Sequence, residues 1–310
     1  MNIALLDART LGDDLDLSVL TTLGSLTSFQ VTTSEQTECR VSNADIVITN
    51  KVMITKNIML NSPNLKLICI AATGMNNVDL EAAKELGIVV KNVVGYSTAS
   101  VVQHTFTMAL HLIGKMNHYA SIATSGAWSN SRLFTDVSHP FSEIAGKKWG
   151  IIGLGEIGSG VAQVATAFGA DVSYYSTSGK NLKQQYPHLE LEALLSTCDI
   201  ISIHAPLNAQ TNNLLNSANL TLLKEGTLLL NLGRGGIVNE EDVAKLLDAR
   251  EIYVGLDVIS TEPIPLDNPL MKILHYERLL ITPHIAWASI EARKKLLEGI
   301  VENIKTFMEK

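Results

Sequence analysis

Three side chains with complementary chemistry follow one another in the second half of the chain. Arg234 lies in NLGRGGIVNE at 231–240, Glu262 in LDVISTEP at 256–263, and His284 in PHIAWAS at 283–289. An arginine guanidinium can bind a carboxylate through two hydrogen bonds and stays charged. A histidine exchanges protons near neutral pH, and a carboxylate beside it fixes its tautomer and stabilises its protonated form. The set predicts a site that binds a carboxylate and moves a hydroxyl proton while a hydride is transferred at the adjoining carbon.

Each of these residues, taken alone, has an ordinary structural interpretation. A lone Arg after a strand is usually a surface charge, a lone His after Pro is usually structural, and Glu before Pro is common in turns. Here all three follow apolar runs that predict parallel strands, and ligands bind at the carboxyl edge of open α/β sheets. Their order at that edge favours the catalytic interpretation.

A glycine-rich loop precedes this set. GLGEIG at 153–158 follows the apolar run WGII and precedes a helical stripe. Gly153 permits a tight turn, Gly155 lets the backbone approach a pyrophosphate, and Gly158 lets the helix pack closely on the sheet. The N–H groups of Glu156 and Ile157 at the helix start would then face the phosphates. In this context the pattern predicts a dinucleotide site, whereas GxGxxG alone is a weak signal.

The acid that usually binds the ribose hydroxyls is missing from the predicted position. Asp171 begins the second strand of this unit, and the strand ends at Tyr175-Ser176, followed by Thr177-Ser178-Gly179-Lys180. Three hydroxyls and one ammonium group could donate to a 2′-phosphate. Alternatively, Ser176 binds the ribose of NAD and Lys180 faces solvent. Because the turn contains these possible phosphate donors and lacks the acid, we predict that NADPH is accepted at least as well as NADH.

Short apolar runs alternate with helical patterns through most of the chain, which predicts an α/β fold with doubly wound parallel sheets. The strands expected in a first unit are IALLD (3–7), DIVIT (45–49), LKLICIA (65–71) and IVV (88–90). A second unit is expected to contain strands at 148–153, 171–175, 199–204, 227–232, 253–258 and 279–282.

The pattern alone leaves the domain boundary open. A final helix over about 288–308, with the stripe Leu296, Ile300, Ile304 and Met308, follows the second sheet and could pack on either unit. Segment 120–147 has little regular pattern, which is typical of a lid or of an arm that reaches a partner subunit.

Composition excludes several classes of protein. The 310 residues carry a formal net charge of −7, which disfavours a non-specific nucleic-acid binder. No apolar run approaches the roughly 20 residues that span a bilayer, and the N-terminal residues lack a secretory pattern. Cys39, Cys69 and Cys198 are isolated, so reduced thiols and a cytoplasmic location are expected. No metal site and no membrane partner are predicted.

The segments quoted above resemble the D-isomer-specific 2-hydroxyacid dehydrogenases. The narrower likeness, to glycerate dehydrogenases or hydroxypyruvate reductases, lies in CIAATGMNNVD at 69–79, VVGYSTASVVQHTF at 93–106 and Trp287. The resemblance spans nearly the whole chain. It implies a flavodoxin-like substrate domain of residues 1–98 plus 286–310, with a Rossmann-type NAD(P)-binding domain of residues 99–285 inserted in it. It also implies a homodimer with a dimerisation arm at about 115–147.

The same resemblance implies roles for individual residues. It makes Arg234, Glu262 and His284 the catalytic set, and assigns substrate contacts to Gly74, Met75, Asn76, Asn77, Arg234 and Trp287. The residues implied to contact the cofactor, besides the glycine-rich loop and the Ser176–Lys180 turn, are Ala205, Pro206, Leu232, Gly233, Arg234, Asp257 and His284. His104 is expected to be structural or to lie on the cofactor side. The implied reaction is reversible hydride transfer between NAD(P)H and C2 of hydroxypyruvate/D-glycerate or glyoxylate/glycolate.

Two alternatives remain at this point. A non-enzymatic NAD(H)-binding regulator of the same fold could retain all three catalytic residues. A formate-dehydrogenase-like enzyme would carry Gln in place of the glutamate, so Glu262 argues against it.

Overall fold

The computed structural model describes residues 1–309 as two compact units. One unit contains Met1–Ser97 together with the residues from Ala288 onward, and the other contains Thr98–Trp287. Each unit is built on one parallel sheet, which confirms the predicted α/β fold class with two parallel-sheet domains. The assignment of substrate and cofactor roles to the two units stays a prediction.

The first unit contains a five-stranded parallel sheet in the order β2-β1-β3-β4-β5. Its strands are β1 (Asn2–Leu5), β2 (Ser25–Ser28), β3 (Ile46–Thr49), β4 (Leu67–Ile70) and β5 (Val89–Lys91), and its first helices are α1 (Ser34–Val41), α2 (Lys56–Leu60) and α3 (Leu80–Glu85). Strands β3 and β4 are buried at every position, as expected for central parallel strands covered on both faces.

The second unit contains a six-stranded parallel sheet in the order β11-β10-β9-β8-β6-β7. Its strands are β6 (Lys148–Ile152), β7 (Asp171–Tyr175), β8 (Ile200–Ile203), β9 (Leu228–Asn231), β10 (Tyr253–Leu256) and β11 (Leu279–Ile281). Its helices are α4 (Thr98–Ile113), α5 (Met116–Thr124), α6 (Glu156–Ala167), α7 (Leu191–Thr197), α8 (Ser217–Leu220) and α9 (Glu240–Ala249). Beyond β7, a single parallel bridge joins Tyr174 to His188, where a fuller Rossmann sheet has another strand.

The last helix, α10 (Ile290–Met308), belongs to the first unit. Ser289 caps its N-terminus by accepting from the Ala292 N–H at 3.1 Å. Leu296, Ile300 and Ile304 are fully buried on one stripe, as the periodicity predicted. Met308 is 45% exposed, because it is the last residue of the helix, and its predicted place in the buried stripe is wrong.

Two further sequence expectations differ from the structure. Strand β2 was not predicted, because its sequence SLTS is polar and it pairs only with β1 at the sheet edge. Segment 120–147 was expected to be irregular, but its first residues complete helix α5, which ends at Thr124. None of the helices in residues 1–309 is both long enough and apolar enough to span a bilayer.

Candidate active site

His284 and Glu262 form a hydrogen-bonded pair at the carboxyl edge of the second sheet. His284 Nδ1 lies 2.7 Å from Glu262 Oε2, and the other carboxylate oxygen accepts from the Ile259 N–H at 3.2 Å. Both side chains are partly exposed. A histidine whose Nδ1 is held by a carboxylate has Nε2 left for proton transfer, so the pair has the geometry of a general acid–base couple.

The backbone of His284 adopts a left-handed conformation with φ of 54°, which residues other than glycine rarely adopt. Its N–H donates to the Asp257 and Thr282 carbonyls, both at 2.9 Å. The Asp257 carboxylate accepts from the N–H groups of Ile285 at 2.9 Å and Ala286 at 3.0 Å. Strain of this kind persists only where the surroundings fix the conformation, and here Asp257 and its neighbours fix the loop.

Asp257 itself is 1% exposed and receives a further hydrogen bond from the Thr282 hydroxyl at 2.6 Å. His104, on helix α4, lies with Nε2 3.1 Å from the Thr282 hydroxyl oxygen and 3.6 Å from the Asp257 carboxylate. These contacts make Asp257 a positioning residue for the histidine loop. Its contact with the cofactor stays a prediction.

Arg234 lies on the loop that follows β9. The Asn231 side chain spans this loop, because its Nδ2 donates to the Arg234 carbonyl at 2.8 Å and its Oδ1 accepts from the Gly233 N–H at 3.1 Å. Next in sequence, Gly235 lies against the loop after β10: an added Cβ would stand 2.0 Å from the Ile259 carbonyl oxygen. This close approach places the arginine loop beside the loop that carries Glu262.

The loop after β10 is also hydrogen-bonded to helix α9. Glu240, the first residue of α9, accepts from the Ser260 N–H at 2.6 Å and from the Asn268 side chain at 2.7 Å. Glu262 lies between Ser260 and Asn268 in the sequence. The Glu240 carboxylate therefore fixes both flanks of the segment that carries Glu262.

The glycine-rich loop has the shape that a pyrophosphate requires. Gly153 has φ of 93°, and an added Cβ on Gly158 would stand 2.2 Å from the Gly153 carbonyl oxygen, whereas one on Gly155 would meet nothing within 4 Å. Gly155 precedes the first residue of α6, and no side chain caps that helix. Its first N–H groups are therefore available to phosphate oxygens, and the residues fit a dinucleotide.

The segment after β8 forms another side of this region. The Ala205 backbone nitrogen would lie 3.0 Å from a Cβ on Gly153, and the Ala205 carbonyl oxygen would lie 2.7 Å from one on Gly233. Both ring nitrogens of His204 are buried without a hydrogen-bond partner among residues 1–309. Burial lowers the pKa of His204 to about 3, so this imidazole is neutral at physiological pH. An orphaned polar group beside the glycine-rich loop is a second feature that fits a bound ligand.

The polar side chains of the turn after β7 differ in their exposure to solvent. Asp171 is the first residue of β7, so it lies at the opposite end of the strand from this turn. Ser176 is 6% exposed, and its hydroxyl oxygen accepts from the Asn181 N–H at 3.4 Å, while Ser178 and Lys180 are exposed. No carboxylate stands directly after the strand end at Tyr175.

The remaining predicted substrate residues belong to two units. Loop 74–77 lies in the first unit, where the Asn77 side chain is buried and donates to the Val52 carbonyl at 3.1 Å. Any substrate contact of Asn77 would therefore use its backbone. Trp287 is the last residue of the second unit and is partly buried. Substrate binding by these residues stays a prediction.

For three residues of the site, no role was predicted from the sequence. Asn231 and Glu240 fix the two loops of the catalytic candidates, and His204 is the orphaned imidazole. The available signal was a polar residue directly after, or at the end of, a buried run, as in TLLLNL and DIISIH. That signal marks a position at the sheet edge, but it does not specify a hydrogen-bond partner.

Comparison with known proteins shows the family of this chain. The sequence model of the family described as "D-isomer specific 2-hydroxyacid dehydrogenase, NAD binding domain" matches residues 106–286. A hydroxypyruvate reductase of Blautia hydrogenotrophica is 36% identical, over 99% of this chain and 97% of that protein. A glycerate dehydrogenase of Methylorubrum extorquens is 34% identical, over 89% of this chain and 86% of that protein.

A solved structure has the same fold over the full length. An acyclic imino acid reductase in complex with NADPH and D-Arg superposes with a TM-score of 0.86 at 29% identity, covering 100% of this chain and 97% of that one. The resemblance inferred from the motifs is confirmed, and so is the expectation of NAD or NADP as cofactor. The chain belongs to the D-isomer-specific 2-hydroxyacid dehydrogenase family and is an NAD(P)-dependent oxidoreductase that acts on CH–OH donors.

Proposed function

We propose that the protein reduces hydroxypyruvate to D-glycerate, or glyoxylate to glycolate, in a reversible reaction with NAD(P)H. The observation that carries this proposal is the 2.7 Å contact between His284 Nδ1 and Glu262 Oε2 at the sheet edge that also holds the glycine-rich loop. The names of the Blautia and Methylorubrum relatives support the choice of a small, polar 2-keto acid.

The chain's own residues account for the proton and the charge in this reaction. When bound, the reduced nicotinamide supplies the hydride that C2 of the keto acid accepts. His284 gives the proton to the carbonyl oxygen from Nε2, because Nδ1 is held by Glu262. The Glu262 carboxylate stabilises the imidazolium before this transfer, and Arg234 binds the substrate carboxylate or carbonyl oxygen.

A substrate panel tests this proposal. We expect hydroxypyruvate and glyoxylate to have higher kcat/KM than a bulky aromatic 2-keto acid with either reduced cofactor. Faster turnover of the aromatic acid would contradict the proposed substrate class and leave only the wider family.

We also propose that NADPH is accepted at least as well as NADH. The support is the absence of a carboxylate directly after β7 and the exposed Ser178 and Lys180 in the turn that follows. Parallel kcat/KM measurements with the two cofactors decide this point. A preference for NADH above about 100-fold, or about 2.7 kcal/mol, would contradict it. If NADPH is preferred, Ser176→Asp should reverse the preference by placing negative charge near the 2′-phosphate.

The working unit that we propose is a homodimer, with the segment 115–147 as its arm. Large apolar side chains on that segment face solvent: Leu133 is 67% exposed, Phe134 89% and Val137 75%. Clustered exposed apolar side chains are typical of interaction surfaces. We propose a cytoplasmic location because Cys39, Cys69 and Cys198 are all free thiols.

A further inference from the structure

The turn after β7 is joined to the glycine-rich loop by the residue that directly follows it. The Asn181 side chain donates from Nδ2 to the Leu154 carbonyl at 3.3 Å. Leu154 lies between Gly153 and Gly155, so this hydrogen bond reaches the loop that fits a pyrophosphate. The Gly153 N–H also donates to the Tyr175 carbonyl at 3.0 Å, at the end of β7. The glycine-rich loop is therefore hydrogen-bonded to both ends of the turn.

Every polar group of Asn181 has a partner in this region. Its N–H donates to the Ser176 hydroxyl oxygen at 3.4 Å, and its carbonyl accepts from the Tyr174 hydroxyl at 2.6 Å. Its side-chain oxygen accepts from the Gln184 amide at 2.9 Å. Tyr174 is fully buried and Ser176 is 6% exposed, so two of these partners belong to the packed end of the strand. Asn181 thus fixes the point at which the turn returns to the sheet.

The segment that contains this turn carries positive charge and no negative charge. Between Asp171 and Glu190 the sequence contains Lys180 and Lys183 but no carboxylate. The side chains of Ser178 and Lys180 are exposed. Hydroxyl and ammonium groups donate to phosphate oxygens, whereas a carboxylate would repel them. The segment therefore has the charge that a ribose 2′-phosphate requires.

We propose that Asn181 is a positioning residue for cofactor specificity, which holds the turn 176–180 at a fixed separation from the glycine-rich loop. The pyrophosphate and the 2′-phosphate of NADP are joined through one ribose, so the two protein segments that bind them must keep a matching separation. A site binds such a group tightly only when its residues are held in the productive geometry by their neighbours. The role of Asn181 rests on the proposed function, because the contact of this turn with the 2′-phosphate is part of it.

The test compares Asn181→Ala with the matched control Asn2→Ala. Asn2 is also exposed and donates from Nδ2 to a backbone carbonyl at 3.2 Å, but it lies in the first unit. Binding of NADP⁺ and of NAD⁺ would be measured by calorimetry in the absence of substrate. In Asn181→Ala the Kd for NADP⁺ should rise roughly tenfold, the size of one charge-assisted hydrogen bond, and the Kd for NAD⁺ less than about threefold. Asn2→Ala should retain both values.

Tyr174→Phe supplies an independent variant that keeps Asn181. It retains the buried ring but removes the hydrogen bond to the Asn181 carbonyl. The ratio of the Kd for NADP⁺ to the Kd for NAD⁺ should rise, as in Asn181→Ala. A merely structural role of Asn181 would lower the Tm and weaken both cofactors equally, so the ratio would stay unchanged. Binding of adenosine 2′,5′-bisphosphate and of 5′-AMP repeats the comparison with two ligands that differ only in the 2′-phosphate.

Two kinds of result would overturn the role of Asn181, and they are distinguishable. If the original chain binds NADP⁺ well, and Asn181→Ala keeps the ratio of the two Kd values or loses NAD⁺ affinity at least as strongly, only the role of Asn181 is wrong. If the original chain itself binds NADP⁺ more than about 100-fold more weakly than NAD⁺, the proposed acceptance of NADPH fails, and the role of Asn181 fails with it.

Discussion

At the scale of single residues, the contact between His284 and Glu262 has a specific consequence for pH dependence. Glu262→Gln keeps the size of the side chain but removes the charge that stabilises the imidazolium. We expect the pH profile of keto-acid reduction to change, with cofactor affinity unchanged. A pH–rate profile that coincides with that of the original chain would remove Glu262 from the mechanism.

The burial of the His204 imidazole can be tested through the pH dependence of stability. Its pKa is lowered from 6.5 to about 3 by burial, so between these values the unfolded chain binds a proton that the folded chain does not. This site should therefore lower the free energy of unfolding by about 1.4 kcal/mol for each pH unit below 6.5. Denaturant unfolding at neutral and mildly acidic pH should show a weaker pH dependence in His204→Asn. Equal dependence in both proteins would mean that His204 is not buried in its neutral form.

At the scale of secondary-structure elements, two glycines of one loop should behave differently. An alanine Cβ at Gly158 would stand 2.2 Å from the Gly153 carbonyl oxygen, so Gly158→Ala should destabilise the fold by about 1–3 kcal/mol. An alanine at Gly155 meets nothing within 4 Å, so Gly155→Ala should retain stability and lose cofactor affinity. Thermal unfolding and cofactor titration of both variants would check this. Equal stability loss in the two variants would contradict the description of the loop.

The secondary-structure elements also show how much of the fold could be predicted from the sequence. All ten predicted strands are present, because most of them contain a continuous apolar run at the length of a buried strand. Strand β2 was missed, because SLTS carries no such run and its pairing depends on β1, a contact distant in sequence. For the site, the motifs predicted Arg234, Glu262 and His284 as catalytic candidates, but not the strained backbone of His284 or the carboxylate of Asp257 that holds its loop. Those features depend on which loops meet, and local sequence does not contain that information.

At the scale of the whole molecule, the exposed apolar side chains of segment 115–147 predict association. Phe134→Ser combined with Val137→Ser should convert a dimer to a monomer, since both side chains would be buried by a second copy. Light scattering after size-exclusion chromatography measures the mass directly. A matched substitution at Leu266, which is 91% exposed and outside the arm, should leave the dimer intact. A monomeric original chain would contradict the proposed assembly.

The measurement that tests the central claim most directly is turnover of hydroxypyruvate by the original chain and by His284→Ala, with cofactor affinity measured in parallel. The claim predicts that the original chain forms D-glycerate from hydroxypyruvate and reduced cofactor. In His284→Ala, kcat should fall by about 10²–10⁴, the usual effect of losing a general acid, while cofactor binding is retained. Near-normal turnover by a folded His284→Ala protein, or formation of L-glycerate by the original chain, would contradict the account.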